Sequence, residues 1–171
     1  MNILVTGTPG TGKTTLCQRL SEQLHLNYLH FGSYARNIPV LQDLWNEQIQ
    51  CYDLDDEAEN MIMDEMEPLM EQGRCIVEHH DARPFPERWF GLVIILRSST
   101  EQLFDRLSSR HYSQEKVQEN IQAEIFNICK EQAEESYSPS IILELQSNTL
   151  DDFNSNVDLI QQWLSSHQFQ Q

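Results

Sequence analysis

Residues 2–15 read Asn2-Ile3-Leu4-Val5-Thr6-Gly7-Thr8-Pro9-Gly10-Thr11-Gly12-Lys13-Thr14-Thr15. From Gly7 to Thr14 the spacing is G-x-x-x-x-G-K-T. Ile3-Leu4-Val5 is a short apolar, β-branched run, and beyond the loop Leu16, Leu20 and Leu24 recur every fourth residue, so the stretch reads as strand, loop, helix. A glycine-rich turn in that setting points backbone N–H groups inward to cradle phosphates. Glycine is required because the turn visits positive φ and the backbone must approach the anion closely. Lys13 places a mobile charge over the β- and γ-phosphates, Thr14 offers a hydroxyl to Mg²⁺, and Gly10, Gly12 and Thr15 complete the cradle. The helix that starts here also turns its positive end to the anion. ATP with Mg²⁺ is the expected cofactor. A guanine-reading N-K-x-D segment is absent, which argues against a GTPase, and no transporter signature loop is present.

The 171 residues, 39% of them hydrophobic, suffice for one sizeable core, and a single domain over 1–171 is expected. Eleven basic residues against 27 acidic ones give a net charge of −16. Such a chain opposes non-specific binding to nucleic acid, since each phosphate contact needs a Lys or Arg. It must gather its few cations in the site, leaving an outer surface suited to a basic partner. No apolar run approaches the ~18–20 residues of a membrane span, and no secretory signal opens the chain, so a soluble intracellular protein is expected. Cys17, Cys51, Cys75 and Cys129 form no C-x-x-C pair and are expected to be reduced and mostly buried.

A second strand is expected at 27–31, followed by Gly32-Ser33 as a turn and helix cap, then helix and loop over 37–55. Ala58, Ile62, Met66 and Leu69 predict a helix stopped at Gly73, and Cys75-Ile76-Val77 a buried strand. Gly91–Leu96 is a continuous apolar run suited to a parallel strand covered on both faces. Ser99/Thr100 caps a helix to about Arg110. One longer helix is expected after Ser113, with Val117, Ile121, Ile125, Ile128 and Cys129 on one side. A fifth strand at Ser140–Leu145 and a closing helix bearing Val157, Ile160, Trp163 and Leu164 complete an α/β alternation, with the tail after Trp163 frayed. Trp89, Phe90 and Trp163 are expected in the core.

Three further stretches point to a family: FGSYAR (31–36), FPERWF (85–90) and RLSSRHYSQEKVQENIQAEIF (106–126). With the phosphate loop and the strand GLVIILR (91–97), the chain resembles the adenylate kinase isoenzyme 6 family from residue 2 to about 165. The resemblance implies a three-layer P-loop NTPase fold with a five-stranded parallel sheet flanked by helices, an NMP-binding region at about 30–53 and a short lid at about 109–119. It implies γ-phosphoryl transfer from ATP to AMP, ATP hydrolysis, monomeric behaviour, presence in nucleus and cytoplasm, and a role in small-ribosomal-subunit maturation through a basic ribosomal protein. It also implies AMP contacts from Gly32, Ser33 and Arg36, and an adenine-side loop at Gln146-Ser147-Asn148-Thr149.

Arg106 and Arg110 stand four apart, so on a helix both guanidinium groups share a face and can close on the transferring phosphoryl. The alternative is a solvated pair bridged to Glu101 or Glu115. Arg36 is the matching candidate for the AMP phosphate, against a surface bridge to the acidic 53–57 run. Where the family has a strand-end Asp two residues before a His, this chain has Glu78-His79-His80. Glu78 is one methylene longer than the family's Asp, which bears on Mg²⁺ because that ion demands near-octahedral oxygen geometry. His80 can orient water or read a phosphate, or it can merely finish the strand and hydrogen-bond to loop backbone; for His79 the latter is expected. The competing functions are a nucleoside monophosphate kinase with ATPase activity, a nucleotide-gated assembly chaperone for a basic ribosomal protein, and another small-metabolite kinase of similar fold.

Overall fold

Ile3, Leu4 and Val5 are each at most 1% exposed, so the first strand needs cover on both faces as well as on both edges. The computed structural model, which describes residues 1–46, 51–52, 54–110 and 112–167, supplies that cover. Strand β1 (Ile3–Thr6) lies between β5 (Cys75–Glu78) and β6 (Leu92–Arg97), with β2 (Asn27–His30) and β7 (Ile142–Gln146) at the edges. All five are parallel, in the order β2-β5-β1-β6-β7.

Side chains alternate across the sheet, and the two faces are filled by different elements. Leu4, Val77, Val93 and Ile95 pack with Ile62, Met66, Phe85, Trp89 and Phe90, which come from α3 (Asp56–Gln72) and the segment after β5. Ile3, Val5, Ile76, Ile94 and Leu96 pack with α1 (Lys13–Leu24) and α7 (Leu150–His167) through Leu16, Leu20, Val157, Ile160 and Leu164. The result is the expected helix–sheet–helix sandwich. Asp55 caps α3 by accepting from Ala58 N (2.9 Å), and Gly73, at φ 77°, ends it. Ser99 caps α4 (Thr100–Ser109) through Gln102 N, and Ser113 caps α5 (Gln114–Ile125) through Lys116 N.

Four expectations need correction. Gly32 and Ser33 are not a turn and cap: α2 (Phe31–Asn37) begins directly at the end of β2, with His30 as its extended N-terminal neighbour. Phe31 is driven into the core at 1% exposure, and that burial brings the helix start forward. The 37–55 stretch is a 3₁₀ turn (Pro39–Leu44) followed by a two-stranded antiparallel ribbon, β3 (Trp45–Asn46) and β4 (Cys51–Tyr52), rather than helix and loop. The single long helix after Ser113 is two, α5 and α6 (Ile128–Ser136), broken at Asn127 in the left-handed region (φ 57°). Ile125 and Phe126 are 57% and 64% exposed, so the apolar stripe does not continue through the break. Trp163 is only half-buried, packed on the edge of the second cluster, whereas Trp89 and Phe90 are core as expected. The closing helix reaches His167, and the rest of the tail lies outside the described residues.

Cys17, Cys75 and Cys129 are free and buried. The side chain of Cys51 lies outside the described part. No helix among the described residues is long and apolar enough to cross a membrane.

Candidate active site

Because every strand of the five-stranded sheet runs the same way, the segments leaving β1, β5, β6 and β7 meet at one edge of it, where ligands of open α/β folds bind. The first is the phosphate loop. Gly7 and Gly10 hold φ values of 138° and 96°. A Cβ on Gly7 would collide with the Leu96 carbonyl oxygen, and one on Gly10 would sit 2.8 Å from Leu103 Cδ1. The glycines thus answer to backbone conformation and to close packing against β6 and α4.

Lys13, the first residue of α1, is 8% exposed and folds back over the loop. Its Nζ donates to the carbonyls of Gly7 (2.5 Å) and Thr8 (3.2 Å). Burial lowers the Lys13 pKa; Glu78 opposes that shift and Arg110 adds to it. An ammonium stripped of water and hydrogen-bonded to carbonyls is poised to exchange them for phosphate oxygens.

Glu78 closes β5 at 5% exposure. Its Oε1 accepts from Thr14 Oγ1 (2.7 Å) and its Oε2 from the Tyr28 hydroxyl. Burial, then the bond to Glu78, pushes the Tyr28 phenol far above its ordinary range, so Tyr28 is a permanent neutral donor. Nothing in the sequence alone marks Tyr28 as part of the site. Its place follows from the register of β2 on β5, which pairs Tyr28 with Ile76 and His30 with Glu78.

The neighbouring histidines divide. His79 packs against Phe31 (4.5 Å between centroids), Phe85 (5.6 Å) and His80 (4.4 Å). Its Nδ1 lies 2.7 Å from Asp81 O and 3.2 Å from Asp81 N. Burial, then the neighbouring His80, brings its pKa down to about 3. His80 is solvent-exposed. Partial desolvation, then the Lys13 charge, lowers its pKa below the usual imidazole range. Its carbonyl accepts from Thr6 Oγ1 (3.0 Å) and Cys129 Sγ (3.3 Å).

Arg106 and Arg110 do not share one role in this geometry. Arg106 turns inward: its Nη1 donates to Ser147 O (2.8 Å), Gly10 O (3.3 Å) and Ser98 Oγ (3.3 Å), and its Nη2 to Asn148 O (2.8 Å). It therefore ties the phosphate loop to the segment after β7. Arg110 is the residue just past α4, exposed, and its charge acts on Lys13. Asn148 Oδ1 accepts from Ser99 N (2.7 Å) and Ser98 Oγ (3.2 Å), so its side chain is committed to the loop after β6. Gly32, Ser33 and the exposed Arg36 ride on α2, which leaves β2 at the same sheet edge. Sequence reasoning missed Glu124, a buried carboxylate that accepts from the Thr8 hydroxyl, Arg97 Nε (2.7 Å) and Ser98 N (3.0 Å). Its only signal was an acidic residue within an apolar helical stripe.

The fold and the loop together define a P-loop enzyme of kinase-like architecture. The AAA domain family matches residues 3–127. The crystal structure of shikimate kinase from Bacteroides thetaiotaomicron superposes with a TM-score of 0.65 at 18% identity, covering 96% of this chain and 98% of that one. Among curated proteins, the adenylate kinase isoenzyme 6 homolog of Dictyostelium discoideum is 41% identical over 165 residues, covering 96% of this chain and 92% of its own length. The homolog from Caenorhabditis elegans is 43% identical over 161 residues, covering 93% and 86%. The chain belongs to the adenylate kinase isoenzyme 6 family.

The half-buried His79 has a consequence for stability. Its pKa is about 3 when folded against an ordinary 6.5, so the unfolded chain binds more protons between those values and stability falls as pH drops through that window. The expected slope is up to about 1.4 kcal/mol per pH unit from this group. Urea unfolding at pH 7, 6 and 5 checks it. Wild type should lose more stability on acidification than His79→Phe, which keeps the aromatic packing and removes the titration; equal slopes would refute the assignment.

Proposed function

We propose that the chain transfers the γ-phosphoryl group of ATP to AMP and hydrolyses ATP as a secondary reaction. The observation that carries this reading is the convergence of Lys13, Thr14 and Glu78 at the mouth of the phosphate loop, in a family whose relatives are named as adenylate kinase isoenzyme 6 homologs. Thr14 Oγ1 and the Glu78 carboxylate are adjacent oxygen donors of the kind Mg²⁺ prefers. No group of three or more His, Cys, Asp or Glu side chains suited to a metal exists among the described residues, so phosphate oxygens and water must complete the shell. When bound, Mg²⁺ neutralises charge on the β- and γ-phosphates.

The protein's own part is positioning and charge. The loop amides and α1 hold the phosphate tail, and Lys13 exchanges the Gly7 and Thr8 carbonyls for phosphate oxygens. Glu78, held by Tyr28 on its second oxygen, orients Thr14. Arg110 closes on the transferring group, and Arg36 with Gly32 and Ser33 receives AMP. The acceptor oxygen of AMP is already anionic, so no general base is needed. Hydrolysis requires a water to be aimed. His80, kept neutral by its lowered pKa, can accept a hydrogen bond from that water.

Incubation with Mg²⁺ and ATP should yield ADP at a rate that rises on addition of AMP, with AMP consumed in step. ADP formation indifferent to AMP would remove the kinase reading and leave a hydrolase.

The net charge of −16 favours a second role: a nucleotide-dependent grip on a basic small-subunit ribosomal protein during maturation of that subunit, in nucleus and cytoplasm. Affinity capture with and without ATP tests it. Recovery of such a protein in one nucleotide state supports the role, and failure in every state overturns it.

A further inference from the structure

Glu124, in the last turn of α5, is 4% exposed and spends its carboxylate on three donors. The Thr8 hydroxyl donates to Oε2; Arg97 Nε (2.7 Å) and Ser98 N (3.0 Å) donate to Oε1. Arg97 Nη2 also donates to the Glu124 carbonyl (3.0 Å), which fixes the turn that carries the side chain. A carboxylate removed from water is tolerable only with such a complement. Most of it comes from the end of β6, an inner strand of the sheet, and the residue that follows it. The exception is Thr8, which belongs to the phosphate loop.

Thr8 is fully buried, and its carbonyl accepts from Lys13 Nζ (3.2 Å) and Thr11 Oγ1 (2.8 Å). Where Thr8 is held thus decides where the ammonium and the middle of the loop stand. On the far side, Arg106 Nη1 donates to Gly10 O and to Ser98 Oγ, both at 3.3 Å. The loop is therefore held at two points, Thr8 by Glu124 and Gly10 by Arg106, and both supports return to Ser98. A loop with three positive-φ glycines has much conformational freedom to lose on binding. Loss taken before the ligand arrives is not charged against affinity.

We propose that Glu124 is a positioning residue of the nucleotide site, holding Thr8 against β6 so that the phosphate loop is pre-formed before nucleotide binds. The proposal deepens the nucleotide-binding reading above and rests on it. A pre-formed loop serves ground state and transition state alike, so its loss appears in affinity and KM and not in kcat. A residue that merely held α5 to β6 would show the opposite: fewer folded molecules, with unchanged affinity in those that remain.

Calorimetric titration with Mg²⁺–ATP, together with steady-state kinetics and thermal unfolding, separates the two. Thr8→Val keeps the shape and removes the hydroxyl. It should raise Kd and KM about 10-fold, the scale of one hydrogen bond to a charged group, and leave kcat within about twofold. Thr8→Ser should restore binding. Glu124→Gln should weaken binding at least as much, and the Thr8→Val/Glu124→Gln double variant should be no weaker than Glu124→Gln alone. Unchanged Kd in Thr8→Val, additive losses in the double variant, or a fall in kcat that tracks the folded fraction would each overturn the proposal. Should Glu124→Gln not fold, the Thr8 variants alone decide. Binding is measured apart from transfer, so an enzyme that takes up ATP but does not phosphorylate AMP refutes the kinase reading while leaving this inference testable.

Discussion

Replacing Lys13 by methionine is expected to lower the rate of ADP formation from ATP and AMP by at least about 10²–10³-fold, the scale of removing one preorganised electrostatic donor from a transition state. Methionine retains most of the length and apolar stem, so loss of packing is a minor part of the effect. The larger part is charge: Lys13 is the buried cation of the loop, and among the described residues its hydrogen-bond acceptors are the Gly7 and Thr8 carbonyls. Thermal stability should stay near wild type, since the desolvation that lowers the Lys13 pKa is removed together with the two hydrogen bonds and the attraction of Glu78. Rapid-quench measurement of ADP beside a thermal melt tests both halves. A variant with near-normal turnover would sink the assignment of the loop as the phosphate site.

Arg110→Ala is expected to cost about 10³-fold in kcat, within the ~10³–10⁵ range of an arginine acting on a transferring phosphoryl, with little change in Kd for Mg²⁺–ATP. The side chain is exposed just past the end of α4, near enough for its charge to act on Lys13. Arg110→Lys should recover only part of the loss, because a point charge cannot reproduce the planar fork. Arg106→Ala offers the contrast. Its guanidinium serves four acceptors, on the phosphate loop and on the segments after β6 and β7, so its removal should raise KM and lower stability. If Arg106→Ala reduced kcat with KM unchanged while Arg110→Ala did nothing, the two roles would have to be exchanged.

The contrast between these arginines shows where sequence reading ran out. Spacing of four on a helix put them on one face, but α4 ends at Ser109 and Arg110 is its cap residue, so only Arg106 is held by helical geometry. The stripe through Val117, Ile121 and Ile125 predicted one long helix for a similar reason. It ranked residues by hydrophobicity and overlooked that Glu124, with Arg97, Ser98 and Thr8 around it, is the buried member of that turn. Gly32-Ser33 misled because their turn-forming composition was outweighed by burial of Phe31 at the end of β2.

What the sequence determined by itself was local or periodic: the phosphate loop between β1 and α1, the continuous apolar strand β6, the stop at Gly73, and the serine cap of α4. Each depends on neighbours a few residues away, through φ preference, capping or alternation, and such signals survive without the fold. Only the tertiary structure decided which distant groups share a site. Tyr28 on Glu78, Glu124 on Thr8 and Arg106 on Gly10 bridge 50, 116 and 96 residues. No local rule reaches that far, because these pairings exist only once a parallel sheet has brought the ends of its strands to one edge.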